Sequence, residues 1–344
     1  MVPLLSISSF CFSEHVTRQE ITTISQGQSG GGSCEMGFTV PDFVAYLLTS
    51  PITTVLLPSI YTMTLLGSLP TNGLAFWILC TRAKKPTSSI FLINLAAADL
   101  LYTLTLPFKI SYYLLGNDWL FGEYACRIVA AAYYGNMYCS VLLLTCISID
   151  QYIGIVQPLK SRTLRRKCMA ITACSVVWIL VSFAVLPLVL NRQSYAIKGL
   201  NITTCRDVIP IEVKSSLKLY YEVSLAGFGI FLPFIVVVFC YISMLRSLLP
   251  HGAKYTQAIR RQTLLMLITF IVCFVPTQVI TFIGDSKPIS IRLSSIVYLI
   301  CLAAGSLNVC INPVIFYHVS KEFQDDVSVM LRGSKESESE TSEI

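Results

Sequence analysis

Charge is what this sequence has least of. Only 13% of its 344 residues are charged, about half the roughly 25% that covers a soluble domain, and this excludes an ordinary water-soluble globule. Histidine is rarer still, with three scattered at His15, His251 and His318. The chain lacks a nucleophile–base arrangement, a metal-ligand cluster and a phosphate-cradling glycine loop, so an enzyme is not expected. Nothing in it marks a nucleic-acid partner. It also lacks the internal repeat of inverted-repeat transporters. No basic residue precedes the short apolar stretch at 2–12, so a strong secretory signal is missing. Either the first hydrophobic helix is the insertion signal, or an upstream segment precedes this start.

Hydrophobic residues are what it has most of, at 54%. A bilayer core of about 30 Å is crossed by about 20 mostly apolar residues in a helix. Runs of this kind fall near 53–80, 88–115, 123–156, 168–190, 219–246, 260–283 and 293–318. The second and third exceed the minimum, so tilt or protrusion is expected. Most of the thirteen cysteines, including Cys80, Cys146, Cys240, Cys273 and Cys301, lie inside these runs. There a free thiol acts as a small hydrophobe.

The connecting segments give the orientation. With the amino terminus outside, the inner loops hold Arg82, Lys84, Lys85, Lys160, Arg162, Arg165, Arg166, Lys167, Arg246, Lys254, Arg260 and Arg261. The outer loops hold Arg192, Lys198, Arg206, Lys214, Lys218, Lys287 and Arg292, partly offset by Asp118, Asp207, Glu212 and Asp285. Asn201-Ile-Thr203 is a glycosylation acceptor and falls in a loop this assignment puts outside. The expected architecture is an all-α membrane protein. An extracellular tail (1–51) precedes a seven-helix domain (52–323), and a polar, acidic, compositionally disordered cytoplasmic tail (324–344) follows it.

Ionisable groups inside membrane helices are costly, and each is a functional candidate. Asp99 is the clearest. Asn72, Ser140, Asn308 and Asn312 lie in other runs and could converge on it. A carboxylate with hydroxyl and amide oxygens suits a hard cation such as Na⁺; a hydrogen-bonded packing network without an ion fits equally well. Prolines at 70, 107, 187, 233, 276 and 313 favour kinks.

Several residues, taken in order over roughly 52–323, resemble the rhodopsin-like receptors. They are Asn72-Gly73, Leu95-Ala-Ala-Ala-Asp99, Trp119-Leu-Phe-Gly122, Cys126, Asp150-Gln-Tyr152, Trp178, Pro233 with Tyr241, Phe270-Ile-Val-Cys-Phe-Val-Pro276 and Asn312-Pro-Val-Ile-Phe-Tyr317. A narrower set is similar to the protease-activated (thrombin) receptors: Leu106-Pro-Phe-Lys-Ile-Ser-Tyr-Tyr113, Tyr134-Gly-Asn-Met-Tyr-Cys-Ser140 and Leu200-Asn-Ile-Thr-Thr-Cys-Arg-Asp-Val208.

The resemblance implies a receptor whose outer tail is cut by a thrombin- or trypsin-like serine protease, the new amino terminus folding back as a tethered ligand. It implies a Cys126–Cys205 disulfide pinning an outer loop, as the oxidising compartment also suggests. It implies that Asp207, flanked by Arg206 and Val208, helps receive the ligand, with Tyr112, Tyr113, Tyr134 and Tyr298 lining the outer pocket. An interfacial aromatic belt is the other reading of those tyrosines. A diffusible peptide or nucleotide agonist, or a weakly signalling protease cofactor, are the alternative functions.

Three positions depart from the family pattern. Gln151 stands between Asp150 and Tyr152 where the family has Arg, so the usual ion pair at that spot cannot form and coupling to a heterotrimeric G protein through Asp150, Gln151, Tyr152, Tyr241 and Tyr317 is in question. Arg18 is the only basic residue in the tail. It is the candidate cut, with Gln19 as the new terminus and Gln19-Glu-Ile-Thr-Thr-Ile24 as the candidate ligand. Asn312, where many subfamily members have Asp, favours an Asp99 cation site.

At the inner end, basic residues can meet anionic membrane lipid or a G protein. Lys321-Glu-Phe-Gln324 begins a stretch that resembles a short amphipathic eighth helix. Ser337, Ser339, Thr341 and Ser342 among glutamates are candidate phosphorylation sites for arrestin. The expected location is the plasma membrane, with receptor dimers possible.

Overall fold

The computed structural model describes residues 42–81, 87–159, 161, 165–207, 221, 223–248, 264–276, 279, 291–319 and 323–324. Six helices of 19 to 35 residues are long and apolar enough to cross a membrane: Ile52–Thr81, Thr87–Leu114, Gly122–Val156, Lys167–Leu190, Val223–Leu248 and Leu299–Tyr317. A shorter apolar helix, Leu264–Phe274, lies in the sixth expected run. The chain is a seven-helix bundle, and the helices are numbered below as spans one to seven. Phe323 is buried and Gln324 donates to the Tyr317 carbonyl at 2.6 Å; the rest of the expected eighth helix is outside the described residues.

The apolar surface is distributed as lipid requires. Leu92 and Leu95 of span two and Leu143 and Leu144 of span three are fully buried in the core, while Trp77, Phe183 and Phe228 are more than half exposed. In water such exposure would mark an aggregation or docking surface. On a spanning helix it is the face turned to hydrocarbon, where every backbone group is already bonded within the helix. Span three, the longest, packs against spans two, four and five.

Three prolines reshape the helices in the same way. Each lies just after a five-residue π-helical segment: Ile52–Leu56 before Pro58, Gly227–Phe231 before Pro233 and Phe270–Phe274 before Pro276. In each case the residue preceding the proline donates to the carbonyl five back: Leu57 to Ile52, Leu232 to Gly227, Val275 to Phe270. Proline has no N–H to give, and its ring clashes with the carbonyl four residues earlier. Widening the turn by one residue relieves the clash. Span two takes another course, breaking at Leu104–Thr105 just before Pro107.

At the face called outer, after the expected orientation, a helix at Asp42–Thr49 precedes span one. A hairpin links spans four and five: β1 (Ser194–Ile197) pairs antiparallel with β2 (Ile202–Cys205), Ser194 opposite Cys205. Asn201, in its turn, is exposed with a left-handed φ of 51°.

Candidate functional site: an outer cleft, a buried carboxylate and an inner ion pair

The hairpin is fastened to the top of span three at several points. Cys126 and Cys205 form the disulfide, with Cα atoms 5.7 Å apart. Glu123 accepts the backbone N–H groups of Gln193 and Ser194 at 2.8 and 2.9 Å, and also the Ser194 hydroxyl. The Arg127 Nε donates to the same carboxylate at 2.6 Å. Between the second and third spans, Trp119 N–H donates to the Thr203 carbonyl at 2.7 Å, and Asp118 accepts the Thr203 N–H at 2.9 Å. These bonds fix the two residues that follow the disulfide.

Arg206 adopts a left-handed φ of 67°. Its N–H donates to the Gln193 carbonyl at 2.9 Å and its Nη1 to the Gln193 Oε1 at 2.8 Å. That places the guanidinium 4.5 Å from the centre of the Tyr134 ring, where ring and cation attract. Asp207 is turned inward. The Lys109 ammonium is 3.7 Å from its Oδ1, both side chains being nearly buried, and also lies over the rings of Tyr112 and Tyr113. The other oxygen, Oδ2, has no partner.

A cleft opens here, lined by Tyr61, Tyr102, Tyr133, Tyr134, Lys109, Arg206 and Asp207. Of the expected tyrosines whose side chains the structure describes, Tyr134 lines the cleft and Tyr112 and Tyr113 do not. Tyr112 and Tyr113 are fully buried behind it; their hydroxyls face the Asp207 carboxylate without reaching hydrogen-bonding geometry. On the same helix after the break before Pro107, Leu106–Leu114, it is Lys109 that reaches the opening. Val208 and the Tyr298 side chain lie outside the described residues, as do Arg18 and Gln19. Tyr61, Tyr102, Tyr133 and Lys109 were missed by sequence reasoning. Lys109 carried a usable signal: a lysine within an apolar run needs a partner.

Asp99 is fully buried at mid-bundle. Asn312 donates to its Oδ2 and Asn136, which sequence reasoning did not single out, to its Oδ1, both at 2.8 Å. The Ser140 hydroxyl faces the same carboxylate without hydrogen-bonding geometry. Asn72 does not converge on Asp99. Its amide donates to the Val309 carbonyl at 2.7 Å, tying span one to span seven. Asn308 is buried with both side-chain polar atoms unpartnered, as is the Asn312 Oδ1. Buried oxygens without hydrogen bonds are costly, and a carboxylate, a hydroxyl and amide oxygens form a donor set that fits a hard cation. Among the described residues no group of three His, Cys, Asp or Glu gathers as a metal site.

At the inner end Asp150 is nearly buried. Its carboxylate is gripped by Arg165, Nε to Oδ1 at 2.9 Å and Nη2 to Oδ2 at 2.7 Å. Gln151 is half-buried, its Oε1 unpartnered. Gln157 Nε2 donates to the Tyr152 hydroxyl at 3.1 Å, and the Tyr152 ring packs against Phe239 of span five. Tyr241 is half-buried in span five, and Tyr317 is exposed at the end of span seven.

The chain matches the model of the seven-transmembrane receptor (rhodopsin) family over residues 71–316. It is 39% identical over 277 residues to human proteinase-activated receptor 3, covering 80% of this chain and 74% of that one. It is 39% identical to human proteinase-activated receptor 4 over 84% of this chain and 75% of that one. Against rat proteinase-activated receptor 2 the identity is 38%, over 86% and 76%. With its three spaced constellations on one seven-helix frame, the chain belongs to the rhodopsin family of seven-transmembrane receptors, among the proteinase-activated receptors.

Proposed function

We propose that the chain is a plasma-membrane receptor, amino terminus outside, switched on when a serine proteinase cuts its outer tail and the freed terminus enters the cleft beneath the hairpin. The observation that carries this is the unpartnered Asp207 oxygen in a tyrosine-walled cleft. A new terminus brings an ammonium, and a charge-assisted bond to a nearly buried carboxylate is strong. Arg18 is the candidate cut. The signal passes to a heterotrimeric G protein at the inner face. Asp99, with Ser140, Asn308 and Asn312, holds Na⁺ between the two ends, and Asn201 carries a glycan on the exposed hairpin turn.

The test uses the chain with an amino-terminal tag, expressed in cells and treated with thrombin or trypsin, while tag release and calcium are recorded. Release with a calcium response, both lost in Arg18→Ala, is the expected result. A response that survives Arg18→Ala and proteinase inhibition rules out this cut. Release with no second-messenger response turns the reading to a cofactor that presents proteinases to a partner receptor, the role Gln151 would suit.

A further inference from the structure

The Asp150 carboxylate needs a cation, because a nearly buried charge left without one is strongly destabilising. Its neighbour in sequence, Gln151, has none to give and does not hydrogen-bond to it. Arg165 comes instead from the loop between spans three and four and meets both oxygens with its planar fork, a geometry lysine cannot reproduce. Ser88, at the start of span two, closes the ring: its hydroxyl donates to the Asp150 Oδ2 at 2.9 Å and accepts from the Arg165 Nη2 at 3.3 Å. Thr87 donates to the Arg165 backbone carbonyl at 2.9 Å. Two helices and a loop are thus joined by one guanidinium.

Gly154 makes room for it. This glycine is one turn after Asp150, inside a helix where glycine is less favourable than alanine. A Cβ there would lie 2.8 Å from the Arg165 Nη1. The acid, the missing base at 151, the loop arginine and the helical glycine form one consistent arrangement.

We propose that Arg165 is the positioning residue of the inner face in this chain: it supplies across the loop the cation that position 151 lacks, and so sets the placement of the surface a G protein meets. This rests on the reading of the chain as a signalling receptor.

The full-length chain, purified in detergent, is compared with Arg165→Ala, Asp150→Asn and the double variant by thermal unfolding. The pair predicts a fall of several degrees for each single change, and a double variant no worse than the poorer single one. Gly154→Ala, which normally stabilises a helix, should lower the midpoint here. In cells, at matched surface level, Arg165→Ala should change ligand-independent G-protein activation by about threefold or more, and Arg165→Lys should restore it only in part. Adding Gln151→Arg to Arg165→Ala should return both readings toward wild type, since the base is then back beside the acid. Additive thermal losses, or no recovery with Gln151→Arg, overturn the proposal. Thermal coupling with unchanged signalling leaves a structural bond alone and also overturns it. A wild-type chain silent towards G proteins fails the functional reading, whereas the thermal cycle still reports the pair, so the two failures are told apart.

Discussion

Asp207 keeps one carboxylate oxygen without a hydrogen-bond partner while the other faces Lys109. A hydrogen bond to a charged group contributes about 1.5–3 kcal/mol, so Asp207→Asn should weaken a peptide matching the new terminus by roughly 10- to 100-fold. A concentration–response curve for G-protein activation at equal surface expression measures this, and an unchanged midpoint would remove Asp207 from recognition. Asp99 is tested through the ion instead. If Na⁺ sits among Asp99, Ser140, Asn308 and Asn312, replacing K⁺ by Na⁺ should change agonist affinity in the wild type and leave Asp99→Asn indifferent. Equal ion sensitivity in both would leave a packing network only. Asn136, which sequence reasoning missed, and Asn72, which it expected at Asp99, show what helix rotation hides. Asn136 and Asn72 both look like partners for Asp99, but which one reaches it depends on how its helix is rotated. Arg165 was visible as one of five basic residues in an inner loop, and nothing local showed that its fork, rather than the residue beside Asp150, would meet the acid.

The π segments decide what is exchangeable at the level of a helix. In span five the segment before Pro233 brings Gly229 against span three, where a Cβ would lie 2.9 Å from the Tyr138 ring. Gly→Ala within a helix is ordinarily worth about 1 kcal/mol of stabilisation. Overpacking against a confined aromatic ring costs about 1–3 kcal/mol and should prevail, so Gly229→Ala should unfold several degrees earlier in a detergent melt. A rise in the midpoint would mean that the ring yields freely. The seven runs were legible because bilayer thickness fixes their length and lipid removes the usual alternation. The prolines were legible as kinks. That Pro233 and Pro276 widen the preceding turn, as does Pro58, which sequence reasoning did not name, while Pro70, Pro187 and Pro313 sit inside regular helix, was hidden, because the outcome depends on what packs beside each turn.

The whole molecule ties its outer parts to one another before any ligand arrives. Asn117, with a left-handed φ of 65°, donates through Nδ2 to the Leu48 carbonyl at 2.5 Å and to the Thr53 hydroxyl at 3.3 Å. Thr53 in turn donates to the Leu47 carbonyl at 2.9 Å. The segment that carries the tail is therefore clasped beside the cleft. Asn117→Ala should weaken the response to proteinase while the potency of the same peptide added in solution stays as it was; an equal loss in both would show the clasp shapes the cleft itself. Span three connects the two ends of this arrangement. Cys126 and Asp150 sit on one uninterrupted helix of 35 residues, about 36 Å apart at 1.5 Å per residue. A rod of that length works as a lever: pivoting it by about 10° carries the far end roughly 6 Å, more than a helical turn's pitch of 5.4 Å. With a hairpin fixed to one end and a guanidinium gripping the other, a tilt of this one rod outside would be felt as a displacement of several ångströms inside.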